Sequence, residues 1–290
     1  MQPVAVITGA SSGIGAATAT QLAGAGFHVI LAARRADRLD EAAARARAQG
    51  GSAQAQILDV TDVAAVGAFA QSLDRCDVLV NNAGGALGME YVADAHLADW
   101  HTMFEVNVIG SLNMTKALLP QFRERRSGTI VNMSSIGGLI AMPGWGYYNA
   151  SKFAVEGLSD SLRAEVAPLG IHVMTVEPGP FRTDFLSRSG QEATTHISDY
   201  EITAGKTREY FRSQGGKQPG DPQRGVEAIV SAVSDPHPPN HLLLGKLAMD
   251  RFRKHLKGWD AELDGWESLA VGADYPEDEA DKAPIAGRAA

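Results

Sequence analysis

The stretch YYNASK, residues 147–152, places a lysine four residues after the second of two tyrosines. A phenol titrates near pH 10 and a lysine amine slightly above, so neither group is a ready proton carrier at neutral pH. In a helix, Tyr148 and Lys152 lie one turn apart on the same face, where an ammonium ion favours the phenolate. Tyr147 lies about 100° away around the helix. The spacing therefore predicts that Tyr148 exchanges a proton and that Lys152 lowers its pKa toward neutrality.

The elements that must position this pair alternate between short β-branched runs and alanine-rich helical stretches. The predicted strands are 4–8, 28–33, 53–60, 77–84, 128–135 and 171–179, and the two longest predicted helices are 97–125 and 148–170. Uniformly apolar strands that alternate with helices are typical of a parallel sheet covered on both faces. We therefore expect an α/β fold with a doubly wound parallel sheet flanked by helices, in a single domain over residues 1–270.

The chain changes character after Pro178. Residues 181–220 are polar and weakly periodic, which is typical of a mobile lid over a site. A further helix is expected over 220–233, with Asp221 as its N-cap and Pro222 at its first position, followed by a last strand over 241–245. Residues 271–290 are charged and rich in alanine and proline, and are predicted to form a disordered tail.

The composition excludes several classes of partner. The 290 residues carry a net charge of −8 without a run of lysine or arginine, which argues against nucleic acid and anionic membranes. Cys76 is the single cysteine, which excludes a disulfide framework and a cysteine-based zinc site, and no metal site is predicted. We find neither an apolar stretch of about 18 residues nor a signal peptide, so a cytoplasmic location is expected.

The first predicted strand ends in TGASSGIG, residues 8–15. Glycines here let the chain turn sharply and approach a pyrophosphate, while the following helix directs free amides at the phosphates. The spacing is GxxxGxG rather than GxGxxG, and a plain strand–helix turn is the alternative. The position within a strand–helix–strand unit favours a nucleotide site. The residues predicted to border the cofactor are Thr8, Gly9, Ser11, Ser12, Gly13, Ile14 and Gly15.

Arg34 and Arg35 follow the second strand, where NAD-dependent enzymes usually place an acidic residue that binds the ribose hydroxyls. A guanidinium group is the natural partner of a ribose 2′-phosphate, so this pair predicts NADP(H). The alternative is that both arginines cap the strand in solvent. The ends of the third and fourth strands are predicted to line the same crevice, with Asp59 and Val60 beside the adenine, and Asn82, Ala83 and Gly84 beside the flat cofactor.

Together these motifs resemble those of the single-domain short-chain dehydrogenases/reductases. The resemblance covers roughly residues 4–250 and rests on TGASSGIG, NNAG at 81–84, Asn107 in FEVNVIGS, Ser135 in IVNMSS, Tyr148 and Lys152 in YNASK, and PGPFRT at 178–183. It implies a Rossmann-like fold, a homodimer or homotetramer, and an NADP(H)-dependent oxidoreductase. Such an enzyme transfers hydride between the nicotinamide and a carbonyl or secondary alcohol.

The resemblance also implies a role for each matching residue. Tyr148 would act as the acid in reduction and the base in oxidation, and Lys152 would bind the nicotinamide ribose. Ser135, selected over Ser134 by its 13-residue interval to Tyr148, would polarise the carbonyl. Asn107 would hold a water in a proton relay. The nicotinamide would be bordered by Pro178, Gly179, Phe181 and Thr183, with Thr183 near the carboxamide.

For the substrate we expect a carbonyl compound or alcohol of unspecified kind, with a small 3-hydroxy acid as the leading specific expectation. Residues 81–103 are similar to a stretch of bacterial NADP-dependent 3-hydroxy acid dehydrogenases. A small acid would need a cation from the predicted lid, where Arg182, Arg188, Arg208, Arg212 and Lys217 are available. A larger apolar ketone would instead contact Met142, Trp145, Tyr147, Phe181 and Phe185. A non-catalytic NADP(H)-binding sensor is a further alternative, which the presence of Ser135, Tyr148 and Lys152 disfavours.

Overall fold

A computed structural model describes residues 2–86, 91–94, 96–183, 185 and 197–276 of the chain. In this part of the chain, seven strands form one parallel sheet of order β3-β2-β1-β4-β5-β6-β7. The strands are β1 (Val4–Thr8), β2 (His28–Ala33), β3 (Ser52–Ile57), β4 (Val78–Asn81), β5 (Gly128–Met133), β6 (Ile171–Pro178) and β7 (His241–Leu244). The order reverses between β1 and β4, which confirms the predicted doubly wound, Rossmann-like sheet.

Nine α-helices lie within the described ranges. They are α1 (Gly13–Gly24), α2 (Ala36–Ala48), α3 (Val63–Gln71), α4 (Leu97–Phe104), α5 (Gly110–Arg125), α6 (Gly146–Val166), α7 (Lys206–Ser213), α8 (Pro222–Ser234) and α9 (Lys246–Val271). Asp221 caps α8 through a hydrogen bond from the Gln223 amide, and Pro222 begins the helix, as predicted.

The core lies on both faces of the sheet, because alternate residues of each strand point to opposite sides. On one face, Ile7 and Leu31 pack with Leu22 of α1, Leu39 of α2 and Ile229 of α8. The opposite face is covered by α3 and α5 and contains Val6, Ile30, Val66, Leu79, Leu118, Phe122 and Ile130. Burial on both faces explains why the central strands are mostly apolar rather than alternating between apolar and polar residues.

The helix predicted over 97–125 is interrupted by a π-helical segment, Glu105–Ile109, between α4 and α5. This segment contains Asn107, one of the residues predicted for the site. Such single π-turns within α-helices are often found at functional sites.

Part of the predicted lid is helical rather than irregular. A 3-10 turn (Ser198–Tyr200), a π-helical turn (Glu201–Gly205) and α7 follow one another between residues 198 and 213. Ala204 and Arg208 of this segment are buried. Residues 184 and 186–196 lie outside the described ranges, so the lid role of 181–220 remains a prediction.

Helix α9 was not predicted from the sequence. The chain divides into two compact units, one up to Met249 and one from Asp250 onward. The predicted tail, 271–290, lies mostly outside the described residues, so it and the domain boundary at 270 remain predictions. None of the helices in the described ranges is long and apolar enough to cross a membrane.

Candidate active site

The glycine turn and the NNAG segment are joined at the carboxyl end of β1. Thr8 Oγ1 accepts hydrogen bonds from the amides of Asn82 and Ala83, both at 3.0 Å. Asn82 Nδ2 donates to the carbonyls of Thr8 at 2.9 Å and Gly9 at 3.3 Å. A Cβ at Gly15 would lie 2.3 Å from Asn82 Nδ2, so only glycine fits there. The structure therefore brings together the turn and the segment that the sequence assigned to the cofactor.

The turn itself has a backbone that requires glycine and an open helix end. Gly9 and Gly13 have φ values of +64° and +60°, which residues other than glycine rarely adopt. A Cβ at Gly13 would meet no atom within 4 Å, so this end of α1 is open. Ser12, at the N-cap of α1, makes no side-chain cap to the helix. The amides of the first turn of α1 are thus free of a side-chain cap and can receive an anionic group.

Arg35 links the second strand to this turn. Its Nη2 donates to Ser11 Oγ at 2.9 Å and to Ser12 Oγ at 3.0 Å. A guanidinium group therefore lies directly at the N-terminus of α1. Together with the uncapped amides, it provides the donors that a phosphate group requires, so these residues fit a dinucleotide phosphate.

Arg34 and Asp59 form an ion pair with an Nη1–Oδ2 distance of 3.7 Å. Asp59 Oδ1 accepts hydrogen bonds from the Thr61 amide at 3.0 Å and the Thr61 hydroxyl at 2.8 Å. The bond from the Thr61 amide is the main cause that lowers the pKa of Asp59, and Arg34 adds to it. Asp59 is thus an oriented carboxylate between the two strand ends. Thr61, which orients it, was missed by sequence reasoning although it is only two residues away.

Val60 is buried, and its carbonyl accepts a hydrogen bond from Asn113 Nδ2 at 3.0 Å. Asn113 lies on α5 and fixes the loop after β3 to that helix. A Cβ at Gly110 of the same helix would stand 2.4 Å from Val60 Cγ2. Sequence reasoning missed Asn113 and Gly110, because nothing near them in sequence points to a distant loop.

Ser135, Tyr148 and Lys152 come together as predicted. Ser135 follows β5; its hydroxyl oxygen accepts a hydrogen bond from the Gly137 amide at 3.0 Å, and its side chain is close enough to the Tyr148 phenol to lower the pKa of that group. Lys152 Nζ lies 5.9 Å from the centre of the Tyr148 ring and donates to the Met133 carbonyl at 2.7 Å. Both Tyr148 and Lys152 are buried on α6. This geometry places a hydroxyl, a phenol and an ammonium group around one buried point.

The expected lowering of the Tyr148 pKa relied on Lys152 together with the positive charge of an oxidised nicotinamide, and it remains a prediction; the side chains of the protein alone shift this pKa upward. Burial raises the pKa of Tyr148 to about 12, and the hydrogen bond with Ser135 only partly opposes this. Burial also lowers the pKa of Lys152 to about 8, although the negative charge of Glu156 acts to raise it. Desolvation penalises both charged forms and outweighs the attraction expected across one helical turn. Tyr148 is therefore a protonated acid at neutral pH.

Asn107 makes its side-chain hydrogen bonds with the chain itself. Its Oδ1 accepts from the Gly85 amide at 2.9 Å, and its Nδ2 donates to the Gly85 carbonyl at 2.9 Å and to Ser151 Oγ at 3.0 Å. A Cβ at Gly84 would stand 2.7 Å from Asn107 Oδ1 and 3.9 Å from Lys152 Nζ. Asn107 thus holds the NNAG segment against α6. Its role as the holder of a water remains a prediction.

The PGPFRT segment contacts β7 and the core. Pro178 pairs with Leu244 in the sheet, and the Gly179 amide donates to the Leu244 carbonyl at 2.9 Å. Phe181 packs against the core, where a Cβ at Gly220 would meet its ring at 2.7 Å. Thr183 Oγ1 accepts from the Phe185 amide at 3.3 Å. The predicted contact of these four residues with the nicotinamide therefore remains a prediction, and Phe181 is mainly a core residue.

An aromatic wall adjoins Tyr148. The Trp145 ring lies 5.5 Å from the Tyr148 ring, 6.4 Å from Phe185 and 5.1 Å from Phe211, and Phe185 lies 5.7 Å from Tyr148. The same cluster contains Ala86, Trp100, Met103, Met142 and Tyr147. Sequence reasoning named Met142, Trp145, Tyr147 and Phe185 as candidate pocket residues. It missed Trp100, Met103 and Phe211.

Tyr147 lies off the reactive face, as the helical geometry predicts. Its hydroxyl donates to the Val92 carbonyl at 3.0 Å. Its ring lies 6.1 Å from Trp100. Tyr147 therefore packs within the aromatic wall, while Tyr148 is the tyrosine whose phenol interacts with Ser135.

Sequence reasoning also missed a group of two buried glutamates and an exposed histidine, which includes Glu156 on the same helix as Lys152. Glu156, Glu177 and His241 each place one ligand atom within 4.8 Å of the others, so the group could hold a metal ion. Burial raises the pKa of Glu156 and of Glu177 to about 7. His241 Nδ1 lies 3.0 Å from Glu177 Oε1 and 3.8 Å from Glu156 Oε2. These acids are far from one another in sequence, and single glutamates give no local signal.

The fold and the arrangement of this site are those of a family of oxidoreductases. Residues 3–194 match the short chain dehydrogenase family. The uncharacterized oxidoreductase YusZ of Bacillus subtilis is 34% identical over 276 residues, which is 92% of this chain and 96% of that protein. The chain belongs to the short-chain dehydrogenase family, as the resemblance of its motifs predicted.

Sulfoacetaldehyde reductase 2 of Chromohalobacter salexigens is 39% identical over 209 residues, covering 70% of this chain and 82% of that protein. A solved short-chain dehydrogenase from Streptomyces avermitilis has a TM-score of 0.84 and 40% identity, and covers 95% of this chain and 100% of its own. These similarities extend over most of the chain, beyond the catalytic motifs alone.

Two further solved structures contain nicotinamide nucleotides. The alcohol dehydrogenase of Thermococcus sibiricus, complexed with 5-hydroxy-NADP, has a TM-score of 0.70 and 27% identity over 84% of this chain and 96% of its own. A short-chain dehydrogenase/reductase of Burkholderia phymatum in complex with NAD has a TM-score of 0.77 and 26% identity, over 91% and 95% of the two chains. Relatives of this fold thus bind both NADP-type nucleotides and NAD.

Proposed function

We propose that this protein is an NADP(H)-dependent oxidoreductase that interconverts a carbonyl compound and a secondary alcohol. The observation that carries the proposal is the meeting of Ser135, Tyr148 and Lys152 at a buried point beside the NNAG segment. A cytoplasmic location and a homodimer or homotetramer stay predictions from the sequence.

The arginines support NADP(H) over NAD(H). Arg35 is fixed to Ser11 and Ser12 at the N-terminus of α1, and the adjacent Arg34 has a largely exposed side chain. The Arg35 guanidinium group at the helix N-terminus and the exposed guanidinium group of the adjacent Arg34 would attract the additional phosphate of NADP. An acid that would bind ribose hydroxyls is absent from both of these positions.

NADPH, when bound, supplies the hydride, and side chains of the protein supply the proton. Tyr148 is protonated at neutral pH because its burial raises the pKa to about 12, so it can donate to a developing alkoxide. Ser135 lies within hydrogen-bonding reach of the same phenol and would donate to the substrate oxygen. The ammonium group of Lys152 would stabilise the negative charge left on the phenol.

Arg208 supports a small anionic substrate as the leading substrate class. It is 7% exposed, and its Nε and Nη2 have no hydrogen-bond partner among the described residues. Its guanidinium carbon lies 4.3 Å from the centre of the Tyr91 ring. A buried guanidinium without a paired acid is costly, and an anionic ligand group would offset that cost.

The position of Arg208 links it to the catalytic tyrosine. One turn further along α7, Phe211 packs on Trp145, which packs on Tyr148. The other predicted cations carry less weight: Arg182 donates to the Gln218 carbonyl at 3.2 Å, and Arg188 lies outside the described residues.

Sulfoacetaldehyde reductase 2, a relative, is named for an aldehyde that carries a sulfonate. A small carbonyl compound with a carboxylate or sulfonate is therefore our leading substrate class.

A larger apolar ketone is the second candidate substrate. The rings of Trp145, Phe185 and Phe211 next to Tyr148 favour it, because aromatic walls bind apolar ligand surface. Arg208 distinguishes the two candidates, since an apolar ketone leaves its guanidinium unpaired.

The test is a panel of acidic and neutral aldehydes, ketones and alcohols, assayed with NADPH and with NADH by following the absorbance of reduced nicotinamide. We expect turnover of carbonyl compounds with NADPH and weaker turnover with NADH. Acidic substrates should be preferred over their neutral methyl esters. Tight binding of NADPH without turnover of any substrate would support the sensor alternative and contradict the proposal.

A further inference from the structure

Helix α9 presents an exposed apolar stripe. From Asp250 to Pro276, every described residue is exposed except the half-buried Phe252. Leu256, Trp259, Leu263 and Trp266 are exposed by 45%, 56%, 60% and 63%. Two tryptophans exposed together on one helix are unusual for a surface without a partner. This stripe therefore indicates an interaction surface.

The stripe has the spacing of a coiled-coil seam. Phe252, Leu256, Trp259, Leu263, Trp266 and Ala270 are separated by alternating intervals of four and three residues. Such intervals correspond to positions a and d of a heptad repeat and place the six side chains along one side of the helix. The occupant that fits such a seam is another helix.

The charges along α9 indicate which helix pairs with it, and in which orientation. Its first half carries the cations Lys246, Arg251, Arg253, Lys254 and Lys257 with one acid, Asp250, whereas the charged residues of its second half, from residue 258 to residue 271, are all acids. These acids are Asp260, Glu262, Asp264 and Glu267. Two copies in antiparallel orientation bring the basic half of each against the acidic half of the other, whereas a parallel pair sets like charges side by side. The helix dipoles also oppose each other favourably only in the antiparallel pair.

We propose that α9 pairs with α9 of a second copy of this chain, in antiparallel orientation. A two-fold axis near residue 261 sets Leu256 against Trp266 of the second copy and Trp259 against Leu263 of the second copy. The same register sets Arg253 near Glu267 of the second copy. An anionic membrane fits the stripe less well, because the acidic half of the helix would be repelled by its surface.

Thiol cross-linking of the full-length chain tests the orientation. Asp260→Cys lies near the proposed axis, so a short bismaleimide should join two copies of this variant. Arg253→Cys should not self-link, because its two copies would be separated by about 24 Å along the axis at 1.5 Å per residue. Mixing Arg253→Cys with Glu267→Cys should give a cross-linked heterodimer. The antiparallel pair would be overturned if Asp260→Cys and Arg253→Cys each cross-linked with itself, or if neither did. Native Cys76 is buried and is the background control.

Sedimentation equilibrium of the full chain tests the surface. Leu263→Asp and Trp266→Asp should weaken association at least tenfold, with unchanged thermal unfolding, because both side chains are exposed. Ala261→Asp adds the same charge on the opposite side of the helix and should leave association unchanged. Equal association of all three variants and the wild type would overturn the proposal. The proposal would also be overturned if the wild-type protein bound phosphatidylcholine–phosphatidylglycerol vesicles and the Asp260→Cys variant failed to cross-link.

Discussion

Arg35 and Ser11 connect the second strand to the glycine turn, through a hydrogen bond of 2.9 Å from Arg35 Nη2 to Ser11 Oγ. The neighbouring Arg34 is held differently. Its side chain is 69% exposed and faces Asp59 at 3.7 Å. One guanidinium group is thus fixed to the turn, while the other can reorient toward a phosphate. The two arginines therefore need not contribute equally to cofactor choice.

Arg34→Ala should weaken the use of NADPH selectively. Loss of one hydrogen bond to a charged group costs roughly 1.5–3 kcal/mol, so KM for NADPH should rise about 10- to 100-fold. KM for NADH should change little. Steady-state kinetics with both cofactors provide the measurement. Arg38→Ala is the matched control, because Arg38 is an exposed arginine in the first turn of α2 that faces Glu41 at 3.9 Å. Equal changes for NADPH and NADH would argue against a role in phosphate binding.

Replacing the two adjacent tyrosines separates proton transfer from packing. Tyr148→Phe should lower kcat by about 10²- to 10⁴-fold while the Kd for NADPH changes little, because only the proton donor is lost. Tyr147→Phe removes one hydrogen bond to the Val92 carbonyl and should alter kcat less than tenfold. Turnover and fluorescence titration with NADPH measure the two quantities. A similar loss of kcat in both variants would show that the phenol of Tyr148 has no special role.

The fold was predictable because its signals are local and repeated. Residues 4–7 of β1 and 29–33 of β2 are all apolar, and their burial on both faces of the sheet accounts for this pattern. Helix α9 was missed for the opposite reason. Its apolar residues are spaced as a narrow seam among charges, and Gly258 and Gly265 interrupt its helical propensity.

The placement of the candidate catalytic residues was predictable from their spacing, but their electrostatics were not. Sequence spacing placed Tyr148 and Lys152 on one helical face, and the structure has them there. The direction of the Tyr148 pKa depends on burial, which a four-residue interval does not encode. The group of Glu156, Glu177 and His241 depends on strands that meet only in the folded sheet.

The rate of carbonyl reduction should fall as the pH rises through about 8. The pKa of Lys152 is lowered to about 8, so its ammonium form is present below that pH and is lost above it. Tyr148, with a pKa raised to about 12, stays protonated over the same range. Once the ammonium form is lost, kcat/KM should therefore decline by up to tenfold per pH unit.

Glu156→Gln should move this break to lower pH. The carboxylate of Glu156 raises the pKa of Lys152, so its removal makes the ammonium form easier to lose. The measurement is the pH profile of kcat/KM, compared with that of Glu165→Gln, which changes an exposed acid on the same helix. A break that stays in place in Glu156→Gln, or that moves equally in Glu165→Gln, would contradict the coupling between Glu156 and Lys152.

Arg208→Met should convert a preference for acidic substrates into a preference for neutral ones. The substitution keeps much of the apolar bulk against Tyr91 while removing the cation that lies 4.3 Å from that ring. Loss of a buried, charge-assisted hydrogen bond costs roughly 1.5–3 kcal/mol, so kcat/KM for a short aldehyde with a terminal carboxylate should fall about 10- to 100-fold. The methyl ester of the same aldehyde should react as well as before or better, since it leaves no charge unpaired. Arg182→Met is the control within the predicted lid, because Arg182 already donates to the Gln218 carbonyl. If kcat/KM falls equally for the acid and for its ester in Arg208→Met, then Arg208 packs in the aromatic wall and does not bind the substrate. The apolar ketone then becomes the better candidate.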